Sequence, residues 1–200
     1  LSGALSTKYL LVGDDFRFGR GREGDFELLE KAGSEKGFEV ERAQTLEFEG
    51  ERISSSRVRE SLANGDFELA KALMGRPYSI MGRVVYGRQL GRQLGVPTAN
   101  VRLQRYRSAL EGVYSVSVDG LDVGRKNGIA NIGIRPTVGG KEPLLEVHLF
   151  DFSGDIYGHL ISVTFHQKIR DEQQFASIEL LKAQIEKDIV QSQDWFLSNA

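Results

Sequence analysis

The stretch HLISVTFHQK at His159–Lys168 decides the fold of the longer part of this sequence. Its apolar residues alternate with polar ones, and this two-residue period is typical of a β-strand with one buried face. The apolar set is Ile161, Val163 and Phe165, and the polar set is Ser162, Thr164 and His166. Similar short runs precede it, separated by glycine-rich turns. The predicted strands are Tyr78–Tyr86, Thr98–Leu103, Gly112–Val118, Asn127–Ile132, Leu144–Phe150 and His159–Lys168.

Consecutive strands with no helices between them predict a closed antiparallel β-barrel. After the last strand, Ser177 is placed to cap a final helix. Four residues of that helix are spaced to form one apolar stripe, which we expect to lie against the barrel. They are Ile178, Leu181, Ile185 and Ile189.

The first 75 residues show helical spacing in place of alternation. An apolar run at Tyr9–Val12 ends in Gly13-Asp14-Asp15, which is typical of a buried strand that feeds a loop. Asp25 is placed to cap a helix that runs to about Lys36, and a second strand is expected at Phe38–Ala43. Helix and strand in this order predict a partial α/β domain, so that the whole chain is α+β.

Two more helices are expected before the barrel begins. Ser54-Ser55-Ser56 supplies hydroxyls ahead of a helix at Arg57–Leu62. Asn64-Gly65-Asp66 ends that helix and caps another at Phe67–Met74. We place the domain boundary near Gly75-Arg76-Pro77, which assigns residues 1–75 to the α/β part and residues 76–200 to the barrel.

Composition limits the classes of function. The 26 Lys and Arg residues nearly balance 28 Asp and Glu residues, so the chain as a whole is not an electrostatic surface for nucleic acid or membrane. Without cysteine there are no disulfides, thiolate zinc sites or cysteine nucleophiles, and a cytoplasmic location is expected. The three histidines lack metal-ligand spacing. The start shows neither a secretory signal pattern nor an initiating Met, so we expect a longer parent protein.

A glycine-rich loop lies in MGRVVYGRQLGRQLGVPTAN at Met81–Asn100. Glycines let backbone N–H groups approach a phosphate closely, and arginine between them adds positive charge. The glycine spacing alone favours the alternative of a flexible, basic surface loop. The candidate nucleotide-binding residues here are Gly82, Gly87, Arg88, Gly91 and Gly95.

Thr98 and Asn100 follow Pro97 and project to the same side of a predicted strand. A hydroxyl and an amide oxygen are hard ligands that suit Mg²⁺, which also keeps water and phosphate oxygens as ligands. An asparagine that bonds turn backbone at the start of a strand explains the pattern equally well.

Glu146 shares one predicted strand face with His148, while Leu145 and Val147 occupy the other. A carboxylate in such a place is able to accept a proton from a substrate hydroxyl. The alternation alone favours a solvated surface charge, since carboxylates on polar strand faces are mostly exposed.

Four motifs follow one another between residue 76 and about residue 190. They are LGVPTAN, which ends at Asn100; Ala130–Gly133 with Arg135–Thr137; LEVHLFDFSGDIYG, which begins at Leu145; and Ile169–Glu172, which leads to Phe175 and Ser177. In this order they resemble the riboflavin kinase family. The whole chain is similar to the bacterial bifunctional riboflavin kinase/FMN adenylyltransferases, or FAD synthetases, without roughly their first hundred residues.

The resemblance implies Mg²⁺- and ATP-dependent phosphorylation of the riboflavin ribityl 5′-hydroxyl, which gives FMN and ADP, on a six-stranded Greek-key barrel. The inner ends of neighbouring strands would bring Thr98, Asn100 and Glu146 to one point. Thr98 and Asn100 would hold the metal, Thr98 would also bind the nucleotide, and Glu146 would be the catalytic base. The implied flavin-binding residues are Asn100, Glu146, Arg170, Glu172 and Phe175. ATP and riboflavin would be the partners, with no nucleic acid and no membrane.

Two further motifs, Gly13–Gly19 and Ile53–Arg59, resemble the adenylyltransferase part of the bifunctional family. In a Rossmann-like nucleotidyltransferase fold, both would lie near phosphates, the second using hydroxyls and a helix N-terminus. The family's HxGH-type motif is not in this chain, so we expect FAD synthesis from a full-length parent and not from the chain as given. The residues carried over are Asp14, Phe16, Arg17, Ser55, Ser56 and Arg57.

The sequence departs from the family pattern at two places. Val96 stands where an aromatic residue is commoner, and Gln173-Gln174 replaces a more basic pair. These departures bear on substrate affinity rather than on the reaction.

Two other functions stay open from sequence alone. A barrel that binds RNA would use an arginine stripe, although Tyr86 and Tyr106 are its only interleaved aromatic residues. A flavin carrier would bind riboflavin or FMN without turnover. The arginines of that stripe are Arg83, Arg88, Arg92, Arg102, Arg105 and Arg107.

Overall fold

The computed structural model of the chain describes residues 6–87, 91, 94–103, 108–137 and 140–199, with the backbone alone at 135–137 and 140–142. Internal contacts divide the chain into two units, Leu1–Ile53 and Ser54–Ala200. The predicted boundary near Gly75 lies within the second unit. Our assignment of the two intervening helices to the first domain therefore stays a prediction.

The first unit is built on a strand–helix–strand arrangement. Strands β1 (Tyr9–Val12) and β2 (Glu39–Arg42) pair in parallel, with helix α1 (Phe26–Lys36) between them in the chain. Parallel neighbours need such a crossover, so the predicted α/β pattern is confirmed. Asp25 caps α1 by accepting a hydrogen bond of 3.0 Å from the N–H of Leu28. The unit also contains a 3-10 helix at Arg20–Arg22 and the hairpin strands β3 (Glu47–Phe48) and β4 (Glu51–Arg52).

Two short helices open the second unit, α2 (Ser55–Ala63) and α3 (Phe67–Met74). Ser54 caps α2 by accepting from the N–H of Arg57 at 3.2 Å. Helix α2 therefore begins two residues earlier than predicted, because one serine is sufficient as the cap and the next two occupy the first turn.

Six strands form a closed barrel. They are β5 (Ser79–Val85), β6 (Ala99–Arg102), β7 (Gly112–Asp119), β8 (Lys126–Thr137), β9 (Gly140–Leu149) and β10 (Leu160–Arg170). Their order around the barrel is β10-β5-β6-β9-β8-β7, and neighbouring strands are antiparallel. Strands β7, β8 and β9 follow one another in space, and β10 returns to lie beside β7, which is a Greek-key arrangement and confirms the predicted barrel.

Alternation along the strands builds the barrel interior. Ile161, Val163 and Phe165 of β10 are at most 2% exposed, as the period predicts. Strands β8 and β9 are longer than predicted, because their ladder continues to the pair Thr137 and Gly140.

Helix α4 (Ile178–Ser198) packs on the outside of the barrel, beside β7, β8 and β10. The predicted stripe is wrong at its first residue, because Ile178 is 65% exposed. The face toward the barrel is centred on Asp188 and Ser192, which are buried, so its middle is polar. In the part of the chain that the structure describes, no helix has the length and apolar character needed to cross a membrane.

His166 links the barrel to α4. Its Nε2 atom lies 2.9 Å from Oγ of Ser117, and its ring stacks on Trp195 with centroids 5.3 Å apart. Burial lowers the pKa of His166 from its usual 6.5, and the positive charge of Arg125 acts in the same direction. The folded protein therefore favours the neutral ring.

We expect the free energy of unfolding to fall more steeply between about pH 8 and pH 5 in the parent chain than in His166→Gln. Because the folded-state pKa is the lower one, the unfolded chain takes up the proton first, and stability is lost as the pH falls through the unfolded-state pKa of about 6.5. Urea denaturation followed by the fluorescence of Trp195, the single tryptophan, measures this. Identical pH dependence in the two proteins would contradict the assignment.

Candidate functional site

A row of three polar side chains crosses the outer surface of the barrel. Asn100 on β6 lies opposite Glu146 on β9, and Glu146 lies opposite Asn131 on β8. Directly paired residues of antiparallel strands project to the same side. Their neighbours Val101 and Val147 fill the interior at 0% and 1% exposure, so the row is on the outer face. The structure thus brings Asn100 and Glu146 together, but on the barrel wall and not at inner strand ends.

A cavity of about 320 Å³, here called the helix cavity, lies between this wall and α4. The barrel contributes Thr98, Asn131, Glu146 and His148 to its lining. The segment at the end of β10 contributes Arg170, Glu172, Gln173 and Phe175, and α4 contributes Leu181, Ile185 and Asp188. Four of the five residues predicted for flavin binding therefore line one cavity, and the fifth, Asn100, is buried beside Glu146.

A second cavity of about 660 Å³, here called the loop cavity, lies between the ends of β5 and β6 and the segment that joins β9 to β10. Tyr86 and Tyr157 stack in its wall, with ring centroids 3.8 Å apart. Pro97, Thr98 and Ala99 complete one side. Among the described lining residues, Thr98 belongs to both cavities, so it marks the place where they meet.

His148 holds the segment that carries Thr98. Its Nδ1 atom lies 2.8 Å from the carbonyl oxygen of Pro97. A carbonyl only accepts, so Nδ1 carries the proton and donates. His148 also lines the helix cavity.

Two glycines bring loop backbone against the predicted metal ligands. A methyl group at Gly87 would overlap the carboxamide of Asn100. One at Gly91 would overlap the carbonyl of Val96 and lie 3.1 Å from Oγ1 of Thr98. Both positions favour glycine, because the Asn100 carboxamide at Gly87 and the Val96 carbonyl at Gly91 occupy the space that a side chain would need.

The other predicted nucleotide-binding residues lie elsewhere. Gly82 is buried in β5, where a Cβ would meet the side chain of Val101 and the backbone of Arg102. Gly95 is exposed and has a φ of 81°. Neither lines the two cavities, and Arg88 lies outside the described residues.

Arg170 is fixed by a buried ion pair. Its Nε and Nη2 atoms lie 2.9 and 2.8 Å from Oδ2 of Asp188, whose side chain is 3% exposed. Gln184 donates to the other oxygen of Asp188 at 2.8 Å. The guanidinium carbon lies 5.6 Å from the centroid of the Phe175 ring. Sequence reasoning missed Asp188 and Gln184, although two polar residues four apart inside an apolar stripe were a usable signal.

The carboxylate of Glu172 lies against β8 at Gly133. A methyl group at Gly133 would overlap its carboxylate, and Nδ2 of Asn131 donates to it at 3.5 Å. Asn131 was also missed as a site residue, because a single sequence does not show that it is paired with Glu146.

The residues carried over from the adenylyltransferase motifs fall in different units. In the first unit, Asp14 accepts a hydrogen bond from Thr45, which lowers the pKa of that carboxyl, and Asp14 also pairs with Arg52 at 3.2 Å. Phe16 stacks on Phe18 with centroids 5.7 Å apart, and Arg17 pairs with Asp25 at 3.2 Å. In the second unit, Ser55, Ser56 and Arg57 form the first turn of α2.

Residues 74–196 match the sequence model described as riboflavin kinase. The chain belongs to the riboflavin kinase family. Residues 1–57 match a second model, described as FAD synthetase. The match to the riboflavin kinase family begins at the end of α3 and covers the barrel, both cavities and nearly all of α4.

Curated relatives are described as bifunctional riboflavin kinase/FMN adenylyltransferases. One from Pseudomonas fluorescens is 55% identical over 94% of this chain and 61% of its own length. One from Escherichia coli strain K12 is 53% identical over 96% of this chain and 61% of its own length. The chain thus spans about three fifths of these relatives. A solved structure from Streptococcus pneumoniae, described as a macrolide-efflux protein, is 34% identical, with a TM-score of 0.67 over 90% of this chain and 58% of its own.

We expect Gly87→Ala to lower the free energy of unfolding by about 1–3 kcal/mol, the usual cost of overpacking, because the new methyl group displaces the Asn100 carboxamide. The same change in an Asn100→Ala background should cost much less, since the obstructing group is gone. Urea denaturation of the four proteins measures the coupling. Equal costs in both backgrounds would show that Gly87 does not press on Asn100.

Proposed function

We propose that this chain transfers a phosphoryl group from ATP to the ribityl 5′-hydroxyl of riboflavin, with Mg²⁺, and releases FMN and ADP. The observation that carries the proposal is the meeting of two cavities at Thr98, with Glu146 in the wall of one of them. A transfer between two substrates requires two such adjoining sites. Membership of the riboflavin kinase family supports the same reaction.

The helix cavity is assigned to the flavin. Its apolar walls come from Val113 and Ile129 on the barrel and Leu181 and Ile185 on α4, and the ring of Phe175 stands at its edge. An apolar slot with a few polar groups suits a flat heteroaromatic ring with a polar tail. In this assignment, Arg170, Glu172 and Phe175 close the flavin end, and Asn100 and Glu146 face the ribityl chain.

The loop cavity is assigned to the nucleotide. It has about twice the volume of the helix cavity, and the stacked pair Tyr86 and Tyr157 offers a surface for a purine ring. Gly87 and Arg88 belong to the loop that would cover the phosphates. Gly91 lines the helix cavity beside Thr98, and Thr98 would meet the terminal phosphate where the cavities join. Gly82 and Gly95 are better explained by close strand packing and by a left-handed turn.

Thr98 and Asn100 would hold Mg²⁺ through a hydroxyl and an amide oxygen. Within the described ranges, no cluster of three or more His, Cys, Asp or Glu residues is placed to bind a metal. A site of neutral oxygens fits Mg²⁺ when phosphates and water complete the shell. Bound there, the ion would offset negative charge on the phosphates.

Glu146 would act as the general base. Its carboxylate takes the proton of the 5′-hydroxyl as the oxygen attacks the terminal phosphorus atom of ATP, the bond to the bridging oxygen breaks, and ADP leaves. Glu146 is half-buried and lies opposite Asn100 on one neighbouring strand and Asn131 on the other. Most of the rate would come from positioning.

For the full-length parent we propose FMN adenylylation as a second activity, and cytoplasm as its location. The match of residues 1–57 to the FAD synthetase model supports the first. Asp14, Phe16, Arg17, Ser55, Ser56 and Arg57 are the residues we assign to that activity. The RNA-binding and flavin-carrier alternatives are not favoured, because neither explains two cavities that share a threonine.

We expect the chain, given riboflavin, ATP and Mg²⁺, to form FMN, and Glu146→Gln to reduce turnover by at least about a hundredfold, the scale of a lost general base. Asn100→Ala should cause a loss of similar size. Chromatographic separation of flavins measures the product. Glu111→Gln, an exposed carboxylate outside both cavities, is the matched control and should keep normal turnover.

Near-normal turnover in Glu146→Gln would refute its role as base. Quenching of riboflavin fluorescence without FMN formation by the parent chain would favour the carrier function instead. RNA binding with steep salt dependence and no ATP consumption would favour the RNA-binding barrel.

A further inference from the structure

We infer that Asp188 of α4, supported by Gln184, is a positioning residue for the helix cavity and acts through Arg170 on Phe175. The inference rests on the proposed function, since it assigns flavin to that cavity. Asp188 lies outside the motifs identified in the sequence, and none of the predicted site roles is assigned to it.

The contacts form a continuous chain from α4 to the cavity rim. Gln184 bonds one oxygen of Asp188 at 2.8 Å, and the other oxygen receives both Nε and Nη2 of Arg170. Nη1 of Arg170 donates to the carbonyl of Asp171 at 3.0 Å. The guanidinium then stands over the Phe175 ring, at 5.6 Å from its centroid. The hydrogen bonds fix the guanidinium, and the guanidinium faces the Phe175 ring, so we expect the position of the ring to depend on the Asp188 carboxylate.

Burial makes this arrangement sensitive to its partners. The Asp188 side chain is 3% exposed and that of Arg170 is 16% exposed, so water screens the pair weakly. A guanidinium that loses a buried carboxylate turns toward solvent or another acceptor, because an unpaired buried charge is costly. Arg170 would then leave the face of Phe175, and the backbone at Asp171 would lose its donor.

Attachment of α4 to the barrel by apolar contacts alone would not require the ion pair between Asp188 and Arg170. Ile189 already packs against the buried cluster of Val113, Ile129 and Phe150, and Ser192 donates to the Gly128 carbonyl one turn further along α4. The charged group stands at the turn of α4 that lines the cavity. We therefore assign Asp188 a role in shaping the helix cavity, in addition to attaching α4 to the barrel.

Asp188→Asn tests the inference because it keeps the shape and removes the charge. We expect the Kd for riboflavin and its KM to rise by about tenfold or more, the scale of one lost charged hydrogen bond, while the KM for ATP stays within about twofold. Fluorescence titration gives the Kd without turnover. Glu186→Gln is the matched control, the same change on the exposed side of α4, and should behave as the parent chain.

A double-mutant cycle with Phe175→Leu separates positioning from simple stability. If Asp188 acts through Arg170 on Phe175, Asp188→Asn should weaken riboflavin binding much less in the Phe175→Leu background than in the parent chain. A purely structural role would lower the melting temperature by the same amount in both backgrounds and leave the effect on Kd additive. Additive effects on Kd would overturn the inference.

Three further outcomes are decisive. If Asp188→Asn shows no cooperative unfolding, Gln184→Leu is tested in its place, because this change keeps the charge of Asp188. A riboflavin Kd of Gln184→Leu raised about twofold to fivefold supports the inference. An unchanged Kd overturns it. If the parent chain neither binds nor phosphorylates riboflavin, the proposed function fails and the inference fails with it. Normal binding by the parent chain with unchanged Kd in Asp188→Asn rejects the inference alone.

Discussion

The pairing of β6 with β9 is the constraint on which the site depends. These strands are far apart in sequence, and barrel closure makes them neighbours with Asn100 opposite Glu146. Because side chains in a strand alternate, a slip of one residue would move Glu146 into the interior and Val147 out of it. The apolar residues that prevent this slip are those that fill the barrel, so the packing of the core fixes Asn100 and Glu146 on the outer face.

The outer face of a barrel is normally open to water, and two different elements cover it here. Loop backbone presses on Asn100 and Thr98 through Gly87 and Gly91, where no side chain fits. Helix α4 lies on the other side and is held by a buried ion pair and a centre of polar residues. Each of these buried polar contacts requires its partner within hydrogen-bond distance, which an apolar contact does not. The shape of the helix cavity thus depends on where α4 packs on the barrel.

Local sequence patterns predict most of the helices and strands. Alternation at Ile161, Val163 and Phe165 identifies a strand, and the caps Asp25 and Ser177 identify helix starts that the structure reproduces. Contacts between residues that are distant in the chain do not follow from a single sequence. The outer location of Glu146 requires the sheet register, and Asp188 meets Arg170 only when α4 packs against the end of β10. Ile178 was misassigned because spacing alone does not show where a helix leaves the surface it packs against. The resemblance to a known family supplied the roles that periodicity does not contain.

A crystal structure of this chain with Mg²⁺, a non-hydrolysable ATP analogue and riboflavin tests the central claim most directly. We expect the flavin ring beneath α4, the terminal phosphate of the analogue at Thr98, and the ribityl 5′-oxygen within about 2.6–3.2 Å of the Glu146 carboxylate. A flavin ring in the loop cavity, or a 5′-oxygen separated from Glu146 by the wall of the barrel, would contradict it.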